Sequence, residues 1–338
     1  MTRRVLVLSG ALAGCRTARQ QLRPVVRIAV GARAGPDYIP IYLGAALGFF
    51  RDQGLNVTLQ DMASTSKAIE ARLGGSADLV TGGYDAAIQM GVEGKHIEAI
   101  AVFERWPPIA LVVAPQSASS IRTIGDLRGQ VVGVSSPGSS THRLLNYFLM
   151  RNGLSPSDVT PVGVGGSFSM AAAVRHGKVA AAVAGALGLA LLSNEFSPVI
   201  LADCRTQRGA EATLGTSVLP WSCLMVSAEW ARSHAEMARK LGRAARRSLD
   251  WIQAHSPEEI AHSIPQEYQG EDPFVYLTAV RDIRPAFSTD GLMAPDGPAN
   301  VQRFIGVFDQ RARTQIDLSK TYTNEFIQSR KDAIPLVG

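Results

Sequence analysis

A loop rich in hydroxyl groups separates two apolar segments near the middle of the chain, and its residue types suit ligand binding. It contains Ser139, Ser140 and Thr141. The apolar residues before it, 131–134, predict a buried strand, and residues 143–151 after it predict a helix with an apolar face. A helix N-terminus that offers hydroxyls and free backbone N–H groups can hold an anion or a strongly polar oxygen without a metal. The open alternative is that a hydroxyl only caps the helix.

Strand and helix patterns alternate along most of the chain. Short strands are predicted at 25–30, 55–59 and 77–80, and a loop and a helix follow each of them. This alternation predicts an α/β fold with doubly wound parallel sheets and helices on both faces. A second region of the same kind runs from about 115 to 216, and the rest is mostly helical. Ligands in such folds bind beyond the carboxyl ends of the strands, which is where these loops lie.

Composition and charge exclude several classes of protein. The 338 residues favour two domains or one domain in two lobes, and 46% hydrophobic with 19% charged residues is typical of an ordered globular chain. The net charge of +5 is scattered, without a basic run interleaved with aromatic residues, so we expect no nucleic-acid partner. The six histidines are dispersed without ligand spacing, so we expect no metal and no cofactor.

The N-terminus has the pattern of an export signal. Arg3 and Arg4 precede a short apolar run that ends in Leu-Ala-Gly before Cys15. This pattern resembles a bacterial lipoprotein signal, which predicts a signal peptide over 1–14, lipidation of Cys15 and a polar tether over 15–24. We therefore expect a periplasmic or extracytoplasmic protein that a lipid anchor holds at the membrane. The alternative is a chance cysteine in an apolar leader.

Several stretches of the chain together resemble one known family. They occur in a fixed order at 26–30, 47–57, 75–79, 121–131 and 177–183. In that order and spacing they resemble the type II periplasmic binding proteins of ABC importers, in the branch of aliphatic-sulfonate, taurine, nitrate and thiamine-precursor binders. The resemblance covers nearly the whole chain after the leader.

The resemblance implies an architecture and a set of partners. It implies two doubly wound, Rossmann-like lobes joined by a two-segment hinge, with the crossings near 110–114 and 218–221. Lobe one would comprise 25–114 and 218–338, including the C-terminal helices, and lobe two 115–217. A small-molecule ligand would bind in the cleft between the lobes, and hinge closure would follow. The closed form would deliver the ligand to a permease with its ATPase, and we expect the binding protein to be a monomer.

The candidate ligand-binding residues lie in the loops after predicted strands and beside the proposed crossings. They are Tyr38, Ser64, Thr65, Gly83, Tyr84, Asp85, Trp106, Ser139, Ser140, Thr141, Phe168, Gly185, Ala186 and Trp221. Each has a simpler explanation that stays open here. Ser64, Thr65 and Asp85 could serve as helix caps without contacting a ligand, and Tyr38 could be a surface aromatic. The two tryptophans could pack in the hinge without lining the cleft.

The nature of the ligand follows from these residue types. Hydroxyls and helix N-termini favour an anionic head, and Arg33 is an arginine near the first loop. The aromatic candidates favour a ligand with an apolar or aromatic body. A small organic sulfonate or carboxylate suits both requirements, the anionic head and the apolar body. A heteroaromatic thiamine precursor of the pyrimidine type is the alternative ligand.

An enzyme is the alternative class of protein. The resemblance extends to pyrimidine synthases, but the cysteine-rich motif that they share is missing, and so are the usual hydrolase and metal motifs. We therefore expect no catalytic residues. Beyond Cys15 the chain has Cys204 and Cys223, which either pair or stay as separate buried thiols.

Overall fold

The computed structural model describes residues 25–32 and 35–328. The predicted signal peptide, Cys15 with its tether, and Arg33 lie outside the described residues. The described chain forms two lobes, each built on a five-stranded sheet, which confirms the predicted two-lobe α/β class. In the described part of the chain no helix combines the length and apolar character needed to cross a membrane.

The sheet of lobe one has the strand order β2-β1-β3-β10-β4. Its strands are β1 (Val25–Val30), β2 (Asn56–Asp61), β3 (Leu79–Gly83), β4 (Ile97–Val102) and β10 (Ser222–Ser227). The sheet of lobe two has the order β7-β6-β8-β5-β9. Its strands are β5 (Ile109–Val113), β6 (Val131–Val134), β7 (Thr160–Gly163), β8 (Ala181–Gly185) and β9 (Val199–Asp203).

Each sheet is mixed, because one strand in each runs against its neighbours. In lobe one β10 is antiparallel to β3 and β4, and in lobe two β5 is antiparallel to β8 and β9. These are the strands by which the chain enters a lobe from the other one, so they start at the cleft while their neighbours end there. The sheets that the alternation predicted as parallel are therefore mixed, with these two strands antiparallel to their neighbours.

The strand β5 also corrects the predicted lobe boundary. Residues 110–114 were expected to form the first crossing and to close the first part of lobe one at 114. Instead Ile109–Val113 is fully buried between β8 and β9. The sequence pattern of an apolar run does not indicate which of the two sheets the strand joins. The first crossing is the preceding segment, 103–108, and the second runs over 215–221.

Helices cover the faces of both sheets. In lobe one these are α1 (Ile39–Ala46), α2 (Phe49–Asp52), α3 (Thr65–Leu73) and α4 (Asp85–Val92). In lobe two they are α5 (Ser140–Arg151), α6 (Ser167–Arg175), α7 (Ala186–Ser193) and α8 (Gln207–Leu214). The C-terminal helices are α9 (Ala228–Ser233), α10 (Ala235–Ala254), α11 (Pro257–Ser263), α12 (Gln266–Gln269), α13 (Pro273–Ile283) and α14 (Gly297–Ile305).

The two crossings pair with each other by backbone hydrogen bonds. The Trp221 amide donates to the Glu104 carbonyl at 3.0 Å, and the Leu219 amide donates to the Arg105 carbonyl at 2.9 Å. The hinge is therefore a short two-stranded connection rather than two independent linkers. Away from the hinge, α13 of lobe one packs against α7 of lobe two. Leu187 of α7 lies in the apolar core of lobe one.

The two cysteines of the described chain are separate. Cys204 and Cys223 are both buried and free. Burial raises the pKa of the Cys204 thiol to about 12, so it stays protonated at neutral pH. Of the two possibilities that the sequence left open, the structure therefore shows separate buried thiols.

The central position of β5 can be tested by stability measurements. Leu111 in β5 is fully buried, whereas Ile200 in the adjacent strand β9 is 36% exposed. Leu111→Ala should lower the free energy of unfolding by about 3 kcal/mol, because it leaves a cavity in the sheet's core. Ile200→Ala should cost about 1 kcal/mol or less. Equal losses in urea unfolding of the two variants would contradict the placement of β5.

Candidate ligand-binding site

A cavity of about 80 Å³ lies between the lobes at the carboxyl ends of the strands. Both lobes contribute to its lining. The lining residues are Gly31, Ala32, Gly35, Asp37, Tyr38, Thr65, Gly83, Ile109, Ser135, Ser140, Thr141, Gly165, Gly166, Ser167, Met170, Val183, Gly185 and Trp221. Small residues and hydroxyls predominate, so the lobes approach closely and much of the lining is backbone.

Glycine at the end of β3 allows this close approach. A Cβ atom built on Gly83 would lie 2.2 Å from the Oγ atom of Ser140, which belongs to lobe two, and 2.2 Å from the Oδ1 atom of Asp85. Real Cβ atoms do not make contacts that short, so a larger residue at position 83 would have to displace the side chain of Ser140 or Asp85. The strand end thus packs tightly against lobe two.

Two helices of lobe two present uncapped N-termini to the cavity. The N-cap residues of α6 and α7 are Gly166 and Gly185, which have no side chain to accept the first N–H groups. Both glycines line the cavity, as does Ser167 at the first position of α6. The first amides of a helix have no partner within it, and the helix dipole adds a partial positive charge there. This side of the cavity is suited to an anionic or strongly polar group.

The N-termini of α3 and α5 are capped by their own hydroxyls instead. The Ser64 Oγ atom accepts the Lys67 amide at 3.3 Å, and the Ser139 Oγ atom accepts the His142 amide at 3.3 Å. These two amides therefore already have hydrogen-bond partners within the protein. The hydroxyl-rich loop therefore serves partly as a helix cap, the alternative that the residue pattern had left open.

The lobe-one side of the cavity is acidic. Asp37 lines the cavity, and burial raises the pKa of its carboxyl to about 6. Glu104 in the first crossing is fully buried, and burial together with the charge of Asp37 raises its pKa well above the usual value. Burial and the same Asp37 charge also raise the pKa of the Tyr38 phenol, so it remains a neutral hydroxyl. Ser222 joins this group by donating to Glu104 Oε2 at 2.7 Å.

A buried ion pair connects the lobes beside the cavity. Arg143 of α5 donates through its Nε atom to Asp85 of α4, and Ser140 donates to the same carboxylate at 2.7 Å. Both charged side chains are almost completely buried. At the rim, the Ser136 Oγ atom of lobe two lies 2.6 Å from Ser66 Oγ and 2.8 Å from Ser64 Oγ of lobe one. The lobes are therefore in direct contact, which corresponds to a closed cleft.

Half of the predicted residues line the cavity. The lining residues among the candidates are Tyr38, Thr65, Gly83, Ser140, Thr141, Gly185 and Trp221. Their contact with a ligand remains a prediction. The remaining candidates have other positions, which corrects the expectation that they form the cavity wall.

The other seven candidates lie outside the lining of the cavity. Tyr84 is fully buried and its hydroxyl bonds to Thr321, while Asp85 pairs with Arg143. Ser64 and Ser139 cap helices. Trp106 packs in the hinge, where its indole donates to the Arg205 carbonyl at 3.4 Å.

Phe168 and Ala186 complete this set. Phe168 is 41% exposed at the surface of lobe two, facing Gly270 of lobe one. Ala186 is the first residue of α7 and is buried.

The cavity also contains residues that were not among the candidates. The main ones are Asp37, Ser135 and the Gly165-Gly166-Ser167 segment. The glycine-rich segment joins β7 to α6, and the same junction of strand, small residues and helix drew attention to Ser139 and Ser140. Applying that criterion to every junction would have found it. Asp37 had no such signal, because a single carboxylate in a loop is common.

Comparison with known structures defines the class of fold. The alkanesulfonate-binding protein SsuA from Xanthomonas axonopodis pv. citri, solved bound to MOPS, is 20% identical and has a TM-score of 0.69, with 87% of this chain and 95% of that chain covered. A protein of known structure from Bordetella bronchiseptica RB50 is 32% identical with a TM-score of 0.86, covering 90% of this chain and 95% of that chain. The fold is that of the type II periplasmic binding proteins, as the resemblance implied.

The family follows from the sequence. The pattern of the NMT1/THI5-like family matches residues 35–260, and the chain belongs to that family. Among curated relatives, the riboflavin-binding protein RibY of Chloroflexus aurantiacus is 24% identical, with 86% of this chain and 82% of that protein covered.

The shifted pKa of Asp37 predicts a pH-dependent stability. Its value of about 6 in the folded state exceeds the usual 3.8, so the folded state binds this proton more tightly than the unfolded state. The stability that the proton gives is present below about pH 4 and is lost as the pH rises through about 6. Asp37→Asn should therefore melt at a higher temperature than the wild type at pH 8 and at nearly the same temperature at pH 4. A gap between the two melting curves that does not change with pH would contradict this.

The close approach at Gly83 predicts a variant that cannot close. Gly83→Ala should hold the lobes apart, increase the radius of gyration measured by small-angle X-ray scattering and cost about 1–3 kcal/mol of stability. Gly125→Ala is the matched control, because its nearest neighbour would be at an ordinary 3.5 Å. An unchanged radius of gyration in Gly83→Ala would show that this contact does not set the closed distance.

Proposed function

We propose that the chain is the extracytoplasmic solute-binding protein of an ABC importer and captures a small organic anion, a sulfonate or carboxylate, in the cleft. The fold, the family and the cavity between the lobes support this proposal. A closed cleft excludes water and aligns donors from both lobes around the ligand, and hinge motion admits and releases it.

The observation that best supports an anionic ligand is the pair of helix N-termini without a side-chain cap. Gly166 and Gly185 provide no side chain to cap the first amides of α6 and α7 beside the cavity, and the hydroxyls of Ser135 and Thr141 lie on the same lobe. Backbone amides and hydroxyls donate hydrogen bonds to sulfonate or carboxylate oxygens without a charged side chain. The cavity volume suits a small head group.

A neutral heteroaromatic compound is the second candidate ligand. Among the described residues no lysine or arginine lines the cavity, while Trp221 forms part of its wall. A flat heterocycle could stack on an indole and use the same amides as donors. The relative named as a riboflavin-binding protein supports a ligand of this chemistry.

The other parts of the proposal concern partners and place. The binding proteins among the relatives support a role in transport rather than catalysis, acting with a permease and its ATPase. We propose that the protein acts as a monomer outside the cytoplasm, with lipid attachment at Cys15 as the anchor. Labelled palmitate, incorporated in cells and lost in Cys15→Ala, would test the anchor.

The ligand proposal is tested by a thermal-shift screen of residues 25–338 against sulfonates, carboxylates, nitrate and pyrimidines. A ligand present at about 100 times its dissociation constant adds about 2.7 kcal/mol, which raises the melting temperature by several degrees. We expect the largest shift from a small sulfonate or carboxylate. Shifts only with pyrimidines would favour the second candidate, and a screen without any shift would contradict solute binding in this cleft.

A backbone substitution tests the role of the α6 amides. Ser167→Pro removes the first amide of α6, yet proline is well tolerated at the first position of a helix. Ser167→Ala is the matched control, because it removes the hydroxyl and keeps the amide. We expect at least tenfold weaker binding in Ser167→Pro and a smaller loss in Ser167→Ala. Equal affinities for the anion in all three proteins would place its binding elsewhere.

A further inference from the structure

We infer that Asp37 takes up a proton from solvent when an anionic ligand binds in the cleft, and that its neutral carboxyl then donates a hydrogen bond to the anion. This inference rests on the proposed function and assigns a role to a residue of the same site. It makes binding of the anion depend on pH, with weaker binding in alkaline solution.

The first step is the position of the Asp37 carboxylate beside a helix N-terminus. Asp37 lines the cavity in the loop after β1, and its Oδ2 atom lies 3.9 Å from the place where a Cβ atom on Gly185 would be. Gly185 is the N-cap residue of α7 and provides no side chain to accept the first amides of that helix. The cavity measures only about 80 Å³. An anion that these amides hold would therefore lie beside the Asp37 carboxylate.

The second step is the lack of a cation between these two negative groups. Asp37 takes part in none of the ion pairs among residues 25–32 and 35–328, and no lysine or arginine of that part of the chain lines the cavity. Arg143, beside the cavity, is paired with Asp85. Two like charges at one site repel, and this repulsion raises the pKa of a carboxyl. Asp37 can remove the repulsion by binding a proton.

The third step is the small cost of protonating Asp37. Burial raises the pKa of its carboxyl to about 6 before any ligand is present. At pH 7 about a tenth of the molecules already carry this proton, so the requirement for it weakens binding only about tenfold. The protonated carboxyl offers an O–H donor, whereas the carboxylate offers only acceptors. The anion then receives donors from both lobes.

Other acidic groups around Asp37 favour their neutral forms already. Glu104 in the first crossing is completely buried, and burial together with the Asp37 charge raises its pKa well above the usual value. Burial also raises the pKa of the Tyr38 phenol and of the Cys223 thiol. The Tyr276 phenol of α13, a helix that packs against residues 36–38, has a pKa that burial raises in the same way. These four groups have no need to take up a proton when an anion binds.

The charged groups of the neighbouring helices are paired within the protein. On α13, Arg281 forms an ion pair with Glu258, and Asp282 lies 3.5 Å from Arg205. The residues of α7 include no titratable side chain. These helices therefore supply neither a free counter-charge for Asp37 nor a competing site for the proton.

His142 on α5 is the group that could compete with Asp37 for the proton. It follows Thr141, which lines the cavity. Burial and the charge of Arg143 lower the pKa of the His142 imidazole, and its Nδ1 atom accepts the Gly138 amide at 2.9 Å. The imidazole is therefore neutral near pH 7, and a bound anion would favour its protonation. The test must separate this residue from Asp37.

The test counts the protons taken up when anions bind. Ethanesulfonate, benzenesulfonate, butanoate and benzoate are titrated by calorimetry at pH 7.2 in bis-tris, triethanolamine and Tris chloride, which differ in protonation enthalpy and contain no competing sulfonate or carboxylate. The change of the observed heat with that enthalpy gives the number of protons. All four anions stay ionised between pH 6.5 and 8.5, so any proton taken up binds to the protein.

Three variants identify the group that binds the proton. Asp37→Asn keeps the size of the side chain and offers a permanent N–H donor. His142→Asn keeps an acceptor for the Gly138 amide and removes the imidazole. Asp250→Asn, on an exposed face of α10, is the control for net charge. For the wild type and each variant, dissociation constants are measured from pH 6.5 to 8.5.

We expect the wild type to take up about one proton per anion bound, and its dissociation constant to rise about tenfold from pH 7 to pH 8. In Asp37→Asn the uptake should fall nearly to zero and the affinity should no longer depend on pH, so that this variant binds more tightly than the wild type at pH 8.5. His142→Asn and Asp250→Asn should keep the uptake of the wild type.

Anion binding without proton uptake by the wild type would overturn this inference and leave the proposed function intact. Uptake that persists in Asp37→Asn, or that disappears in His142→Asn, would do the same, because the proton would then bind elsewhere. No binding by any of the four anions would overturn both this inference and the proposal of an anionic ligand.

Discussion

The ion pair between Asp85 and Arg143 is the interaction on which the closed arrangement depends. The carboxylate belongs to lobe one and the guanidinium to lobe two, and both are almost entirely shielded from water. Separating two such charges from each other while they stay buried costs several kcal/mol, so the pair exists only where the lobes meet. Ser140 bonds to the same carboxylate and also lines the cavity. Closure and the shape of the ligand site are thereby coupled through one carboxylate.

Chain direction explains why the site forms where it does. Four strands of each sheet end at the cleft, and the strand that enters each lobe from the other one starts there. Loops, helix N-termini and glycines therefore collect at one edge of both sheets. Gly83 shows the consequence, since the strand end lies so close to lobe two that a Cβ atom would not fit. The distance between the lobes is a property of backbone geometry as much as of side chains.

Much of this architecture could be predicted from the sequence because alternating strand and helix patterns are local. The assignment of β5 to lobe two could not be predicted, because an apolar run of five residues has the same pattern in either lobe. Only its pairing with β8 and β9 shows which sheet it joins. The site was predicted in part for a similar reason. A hydroxyl at a helix start reveals that the residue lies near the cleft. Whether it faces the ligand, caps its own helix or bonds to the other lobe depends on contacts distant in sequence, as Ser64 and Ser139 show.

The four helix N-termini suggest how to separate these roles. Where the N-cap residue is serine, as at α3 and α5, its hydroxyl accepts one of the first amides of the helix, and the junction is available for contact between the lobes. Where it is glycine, as at α6 and α7, the amides have no partner from the N-cap side chain, and the cavity lies directly against them. An unsatisfied amide in a closed cleft is costly unless a ligand or water accepts from it. In this fold, therefore, the junctions with the fewest side-chain functional groups are the ones best prepared to bind.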